Sequence, residues 1–205
     1  MANPLATLKQ GVLRPRDASE LYTQPALQFR YLAQEGVLLN VAHGYYAYVP
    51  EADRNTGWRP EIEALALALS QADYGRNEVA LMHLSAARIH GAIPRALAVA
   101  VLAVPKQRPA LETTCGRIVF VKRDVGRLKR IRMETELASG WVTSFEQTTL
   151  DLARRPDLVE ALSKVAHDAA LLLFARCGEK KLNVIVEEQR MGASFARVKK
   201  WTAGA

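Results

Sequence analysis

Residues 96–104 form an uninterrupted apolar run, ALAVAVLAV, between Pro94 and Pro105. A strand with one face in solvent alternates apolar and polar side chains, whereas a strand covered on both faces can be apolar throughout. The run is about half as long as an apolar helix that crosses a bilayer. It therefore predicts a short strand at the centre of a sheet, and other parts of the chain have to supply the elements that cover it.

The segments around this strand predict a mixed α/β domain with a small sheet and several helices. Residues 61–72 and 78–92 have the apolar spacing of helices, residues 117–122 and 128–137 alternate like strands, and residues 141–143 can add a short third strand. Further helices are expected over residues 146–153, 157–175, 182–191 and 193–201.

The first 50 residues have a different pattern, with three short helices followed by a β-hairpin. Helices are expected at residues 3–11, 17–22 and 25–33, and Gly36 can supply the left-handed exit of the third. Residues 37–50, VLLNVAHGYYAYVP, alternate in polarity and place His-Gly where a tight turn would fall. Three helices followed by a two-stranded wing is the order of a winged helix-turn-helix.

These patterns predict an α+β protein with two domains. Residues 51–58 are polar and turn-rich, and we expect them to link a winged helix-turn-helix domain at 1–50 to the mixed α/β domain at 59–205. The N-terminus lacks a basic segment followed by an apolar run, so a cytoplasmic protein without a membrane segment is expected. Cys115 and Cys177 fit no metal or redox spacing, and no disulfide is expected.

The third predicted helix is amphipathic, with Phe29 on its inner side and a polar outer side. Glutamine can bond to adenine, arginine can bond to guanine or phosphate, and leucine or tyrosine can contact the methyl group of thymine. The outer face could instead be an ordinary solvated face, with Leu27 and Tyr31 packed against the rest of the chain. The residues expected to contact DNA, including two arginines before the second helix, are Arg14, Arg16, Gln24, Leu27, Gln28, Arg30 and Tyr31.

The net charge of +7 is concentrated in the middle of the chain. Residues 1–60 carry a net charge of +1, whereas residues 106–132 carry +7. This basic segment can be a solvated surface, or it can bind an acidic protein or a nucleic acid. Phe120 is the one aromatic residue within it, so stacking on bases is not expected. The candidate residues of this surface are Lys122, Arg123, Arg127, Lys129, Arg130 and Arg132.

Sequence motifs of common enzymes are absent from the chain. It has no G-x-x-x-x-G-K phosphate loop, no G-x-S-x-G nucleophile elbow and no H-E-x-x-H helix. His83 and His90 share one face of a predicted helix, but no carboxylate completes a metal-ligand spacing. The sequence therefore predicts no enzymatic activity, no cofactor and no metal site.

Four segments together resemble the AbiEi-type antitoxins, which are the antitoxin half of type IV toxin-antitoxin pairs. They are VLLNVAHGYYAYVP, LSAARIHGAIPRAL, GRIVFVKR and RIRMETELASGWVTSFEQTTLDLARRPDL. The resemblance implies an N-terminal winged helix-turn-helix that represses its own operon by binding inverted repeats in the promoter. It also implies a C-terminal domain that counteracts a nucleotidyltransferase toxin, with or without a direct contact between the two proteins.

The resemblance also assigns residues in the N-terminal domain. Residues 24–34 match the recognition helix of the family, and His43, Gly44 and Tyr45 match the tip of its wing, which adds His43 and Tyr45 to the expected DNA contacts. Histidine stands where the family usually has arginine, and a histidine is mostly uncharged at neutral pH. Two alternatives remain: a factor or enzyme that promotes covalent modification of the toxin, such as phosphorylation, or an RNA-binding protein that uses the central basic segment.

Overall fold

The computed structural model describes residues 11–204, and the first part of this range is a small antiparallel sheet with one α-helix. Strand β1 (Val12–Leu13) leads through a 3₁₀ helix at Pro15–Ala18 to helix α1 (Pro25–Gln34). Strands β2 (Leu38–Ala42) and β3 (Tyr45–Tyr48) then form a hairpin, and the strand order is β1-β3-β2. The predicted hairpin is confirmed.

The helical part of this unit follows the predictions only in part. Helix α1 begins at Pro25 and is followed by Gly36 at a φ of +69°, as expected. The predicted helix at 17–22 is wrong, because the 3₁₀ helix ends at Ala18 and residues 19–21 form a turn. The Asp17 carboxylate accepts a hydrogen bond from the backbone N–H of Arg14, the residue before this 3₁₀ helix. The helix expected at 3–11 lies almost entirely outside the described residues.

A six-stranded mixed sheet forms the centre of the remaining chain, in the order β6-β7-β5-β4-β9-β8. Strand β5 (Val99–Val104) is buried at every residue, and it runs parallel to β7 and antiparallel to β4. The central position predicted for the apolar run is confirmed, although the strand begins three residues later than the run. The other strands are β4 (Ala80–Leu81), β6 (Leu111–Thr113), β7 (Gly116–Lys122), β8 (Arg130–Glu134) and β9 (Ser139–Thr143).

Helices cover both faces of this sheet, which explains the unbroken apolar sequence of β5. Ala100, Leu102 and Val104 face α2 (Ile62–Tyr74), whereas the alternate side chains pack with the other helices. These helices are α3 (His83–Ile89), α4 (Phe145–Arg154), α5 (Ser163–Phe174) and α7 (Gly192–Ala203), whereas α6 (Glu179–Glu188) packs against α4 in a separate apolar cluster. The α+β class is confirmed, and none of the helices in residues 11–204 is long and apolar enough to cross a membrane.

Two predicted helices differ from the structure. Residues 78–92 hold strand β4 followed by the short helix α3, and residues 157–175 hold a 3₁₀ helix at Glu160–Leu162 followed by α5. The change from strand to helix occurs at His83, a buried residue with a φ of +54°. A non-glycine residue at positive φ interrupts any continuous helix through this point.

The small sheet packs against the larger unit. Val12, Val41 and Ala47 belong to the same buried cluster as the apolar side chains of α2. The backbone N–H of Thr114 donates to the carbonyl oxygen of Val41 at 2.9 Å, so β2 also contacts the segment between β6 and β7. Trp58, in the segment expected to be a linker, packs on this cluster as well.

Candidate functional site

Helix α1 presents the predicted polar face to solvent. Phe29 is fully buried and makes an edge-to-face contact with Tyr46, with ring centroids 5.2 Å apart. Gln28 is half-buried, and Ala26 is exposed. Large apolar side chains also lie on the outer face, where Leu27 is 54% exposed and Tyr31 is 55% exposed. The exposed residues of this face are Gln24, Leu27, Arg30, Tyr31 and Gln34.

The hairpin of β2 and β3, which was predicted to be a wing, places its two predicted contacts in different environments. His43 lies exposed in the turn between β2 and β3, next to Gly44, whose φ of +78° suits a tight hairpin turn. Tyr45 is half-buried, and its hydroxyl donates a hydrogen bond to Asp73 Oδ2 at 2.7 Å. Burial raises the pKa of Tyr45, and the hydrogen bond to Asp73 raises it further. His43 is therefore open to a ligand, whereas the Tyr45 hydroxyl is held inside the protein.

Asp73, near the end of α2, also binds arginines from two other segments. Arg14 Nη1 lies 2.8 Å from Asp73 Oδ1, and Arg108 Nη1 lies 2.6 Å from Asp73 Oδ2. Arg14 further pairs with Asp17 at 2.7 Å, so its guanidinium is occupied within the protein. The side chain of Arg16 is 69% exposed and lies 3.5 Å from Asp73 Oδ1. Of the two predicted phosphate contacts, Arg16 is the accessible one.

The residues of the predicted basic surface have different immediate partners. Arg130 and Arg132 lie over the ring of Trp141, at 4.5 and 4.8 Å from its centroid, which are distances of cation–π contacts. Lys129 Nζ pairs with Glu188 Oε2 at 2.8 Å. Lys122, Arg123 and Arg127 line a groove that Glu188 also lines.

This groove has a volume of about 900 Å³, and we call it the basic groove. Arg154, at the end of α4, and Arg190, in the turn between α6 and α7, line it together with the three predicted cations. The sequence did not indicate that these two arginines belong to the site, because they form no recognisable sequence motif with residues 122–127. The five basic residues of the groove are Lys122, Arg123, Arg127, Arg154 and Arg190.

The remaining titratable candidates include the buried His83 and the half-buried Cys177. His83 Nε2 lies 2.9 Å from the carbonyl oxygen of Arg155 and must donate to it, while burial lowers the pKa of His83 to about 4. Burial raises the pKa of the Cys177 thiol to about 11, so this cysteine is a poor nucleophile. Within residues 11–204, no three His, Cys, Asp or Glu side chains are arranged to hold a metal ion.

Comparison with known proteins adds one finding. A family model described as the AbiEi antitoxin C-terminal domain matches residues 78–200, which is more than half of the chain. The matched part begins just before β4 and ends within α7, so it includes the basic groove and excludes α1 and the wing. No curated protein sequence matches the chain.

Proposed function

The chain belongs to the AbiEi antitoxin family, and from this we propose that it is a non-enzymatic antitoxin that counteracts a nucleotidyltransferase toxin and represses its own operon. In this proposal residues 1–50 form a winged helix-turn-helix that binds inverted repeats in the promoter. Residues 51–58 connect it to the antitoxin domain at 59–205. The family match lies within that second part, to which we therefore assign the action on the toxin.

The orientation of α1 carries the DNA-binding part of the proposal. Its exposed face combines Gln24 and Arg30, which can bond to base edges, with Leu27 and Tyr31, which can contact the methyl group of thymine. A solvated helix face would hold mainly charged side chains, whereas this face exposes two large apolar ones. The combination suits the major groove better than bulk water.

The flanking residues support the same orientation on DNA. Arg16 precedes α1 and His43 lies in the hairpin turn that follows it, and both are exposed. In a winged helix-turn-helix, such flanking side chains meet the phosphate backbone on either side of the recognition helix. Because residues 1–60 carry a net charge of only +1, one copy would bind weakly, and we expect two copies on paired half-sites.

Binding of the full-length protein to a labelled duplex of its own promoter tests this part. Arg30→Ala or Gln28→Ala should weaken binding by about 1–3 kcal/mol per lost base contact, while binding to a scrambled duplex changes less. Arg95→Ala removes the same charge from an exposed position outside α1 and the wing, and it should leave the affinity unchanged. Equal affinities for the three variants and the parent protein would refute the assignment of α1.

The antitoxin part is tested separately with the same variants. Arg30→Ala should keep the ability to rescue growth of cells that express the toxin, because Arg30 lies outside the family match. Toxin purified after co-expression should keep its unmodified intact mass. A mass increase that depends on this protein would show that it promotes covalent modification of the toxin, which contradicts the non-enzymatic proposal.

A further inference from the structure

We propose that the basic groove binds a single nucleic-acid strand through its phosphate backbone. The groove lies at the C-terminal end of β5, because Pro105, which follows β5 directly, lines it. It belongs to the antitoxin domain and not to α1 or the wing. The proposal therefore concerns a second nucleic-acid site, and it does not depend on promoter binding.

Charge is the first observation that points to an anionic ligand. Five cations line the groove against three carboxylates, which belong to Glu78, Asp124 and Glu188. Glu188 pairs with Lys129, which is a further cation, and Asp124 accepts a hydrogen bond from the backbone N–H of Gly126. Over residues 11–204, no acidic side chain forms a salt bridge with the exposed groove residues Lys122, Arg154 and Arg190.

The floor of the groove is the second observation, because it fixes one guanidinium in place. Arg123 Nη1 donates to Asp151 Oδ1 at 2.9 Å, and Nη2 donates to Gln189 Oε1 at 3.3 Å. Asp151 and Gln147 are fully buried, and Gln147 Oε1 accepts a hydrogen bond from Gln189 at 2.7 Å. Apolar side chains of similar volume often stabilise a fold as well as a buried ion pair does. This network pairs Arg123 with Asp151, and it gives the floor of the groove a defined structure before a ligand arrives.

The backbone of Arg190 is the third observation. Its φ of +53° is one of three positive values among the non-glycine residues of the described chain. Glycine adopts this conformation without strain, whereas a residue with a Cβ pays about 1–2 kcal/mol. The chain therefore carries an arginine in the groove at a position whose backbone suits glycine, which indicates a use for its side chain.

The chemistry of the lining favours a phosphate backbone over an acidic protein. Four of the five cations are arginines, whose planar forks match phosphate oxygens. Every nucleotide supplies one negative charge, whereas a peptide would need several carboxylates within one short segment to match the same cations. No aromatic side chain lines the groove, so bases would not stack there and binding would depend little on sequence. A concave site of this volume accommodates a short stretch of one strand.

Fluorescence anisotropy with the full-length protein tests the proposal. The probes are labelled single strands of about 12 uridines or 12 thymidines, titrated from about 50 mM salt upward. Lys122→Ala, Arg154→Ala and Arg190→Gly should each weaken binding several-fold, and each should reduce the slope of log affinity against log salt by about 0.7. Arg190→Gly suits the left-handed backbone, so a loss of binding in this variant does not reflect misfolding.

Two controls separate this groove from the promoter-binding face. Arg95→Ala removes a cation near the opposite end of β5 and should bind both strands like the parent protein. Arg30→Ala should bind the promoter duplex more weakly than the parent protein does and should bind the single strands with the parent affinity. The groove variants should show the reverse. Each proposal can therefore fail without the other.

The remaining outcomes decide between ligands. The proposal is supported if the groove variants weaken the binding of either probe or of both. Which probe is affected shows whether the groove binds an RNA backbone, a DNA backbone or both. Unchanged binding in all three groove variants would overturn it. Groove-dependent binding of polyglutamate, with no binding of either strand, would overturn it in favour of an acidic protein partner.

Discussion

Asp73 connects three separate segments of the chain to α2 by hydrogen bonds. It accepts hydrogen bonds from Arg14, Tyr45 and Arg108, and its own side chain is 12% exposed. Asp73→Ala would leave the Arg108 guanidinium and the Tyr45 hydroxyl without this acceptor, and it would leave Arg14 paired with Asp17 alone. Removing one partner of a buried pair costs about 3–5 kcal/mol, and the partial exposure of this cluster lowers our expectation to about 2–3 kcal/mol. Urea unfolding measures this loss.

The matched control for this prediction is Glu20→Ala, which removes an exposed acid from the turn before α1. Surface substitutions of this kind usually change the free energy of unfolding by less than about 0.5 kcal/mol. If Asp73→Ala were no more destabilising than Glu20→Ala, the cluster would not fix the small sheet against α2.

His83 makes the stability of the protein depend on pH. Its pKa is lowered from 6.5 to about 4 in the folded state, mainly by burial. Above about pH 6.5 the imidazole is neutral in both states and contributes nothing. As the pH falls further, the unfolded state binds the proton and the folded state does not, so the free energy of unfolding decreases until about pH 4. Between about pH 7 and pH 5 we expect a loss of about 2 kcal/mol from this group.

His83→Asn isolates this contribution. Asparagine tolerates positive φ better than most residues, and its side chain cannot titrate in this range. The loss of stability between about pH 7 and pH 5, measured by urea unfolding, should be smaller in the variant by about 2 kcal/mol. His90, whose pKa is also lowered by burial, is present in both proteins and cancels in the comparison. Parallel pH profiles would contradict the prediction.

Among the elements, β9 lies close against α2 at Gly140. A Cβ atom at this position would lie 2.6 Å from Gln71 Nε2 and 2.9 Å from Leu67 Cδ2. Gln71 cannot move freely, because its Nε2 donates to the carbonyl oxygen of Ser139 at 2.8 Å. Gly140→Ala should therefore destabilise the protein by about 1–3 kcal/mol in thermal or urea unfolding.

Gly192→Ala is the control for this close approach. Gly192 is the first residue of α7, and apart from its chain neighbours and the backbone of its own helix, no atom lies within 4 Å of the position that its Cβ would take. Alanine is the better helix former, so this variant should be neutral or more stable by up to about 1 kcal/mol. Equal losses in the two variants would mean that the packing at Gly140 is not specific.

Local sequence patterns predicted the elements whose structure is determined locally. The apolar run that contains β5, the hairpin and helix α1 were predicted from periodicity and turn residues. Strand β4 was missed, because a short apolar segment suits a helix and a buried strand equally well. The pairing of β4 with β5 and β9 decides its structure, and these partners are distant in the sequence.

The candidate sites show the same difference between features that local sequence determines and features that depend on distant parts of the chain. The exposed face of α1 was predictable because helical geometry alone determines which side Phe29 occupies. The basic groove was not predictable, because Arg154 and Arg190 reach it through the packing of α4, α6 and α7. Nor did the sequence indicate that Asp73 would hold the predicted DNA contacts Arg14 and Tyr45 inside the protein.

For the molecule as a whole, the small sheet and the larger unit share one buried core. Val12, Val41 and Ala47 of the small sheet pack in one cluster with Leu65 and the rest of α2. The Asp73 cluster joins the same parts through hydrogen bonds. Both connections would be lost if either part unfolded alone, so we expect a single cooperative unfolding transition in calorimetry.

Phe29→Ala tests this cooperativity, because Phe29 lies in a small cluster with Leu13 and Tyr46, apart from the central sheet. The substitution should cost about 3–5 kcal/mol, which corresponds to a decrease of roughly 10 °C in the melting temperature of the one transition. Leu27→Ala, on the exposed face of the same helix, should leave the melting temperature almost unchanged. A second transition that stays at the original temperature in Phe29→Ala would show that the small sheet and α1 unfold independently, and a shared core would then not control the stability of the whole molecule.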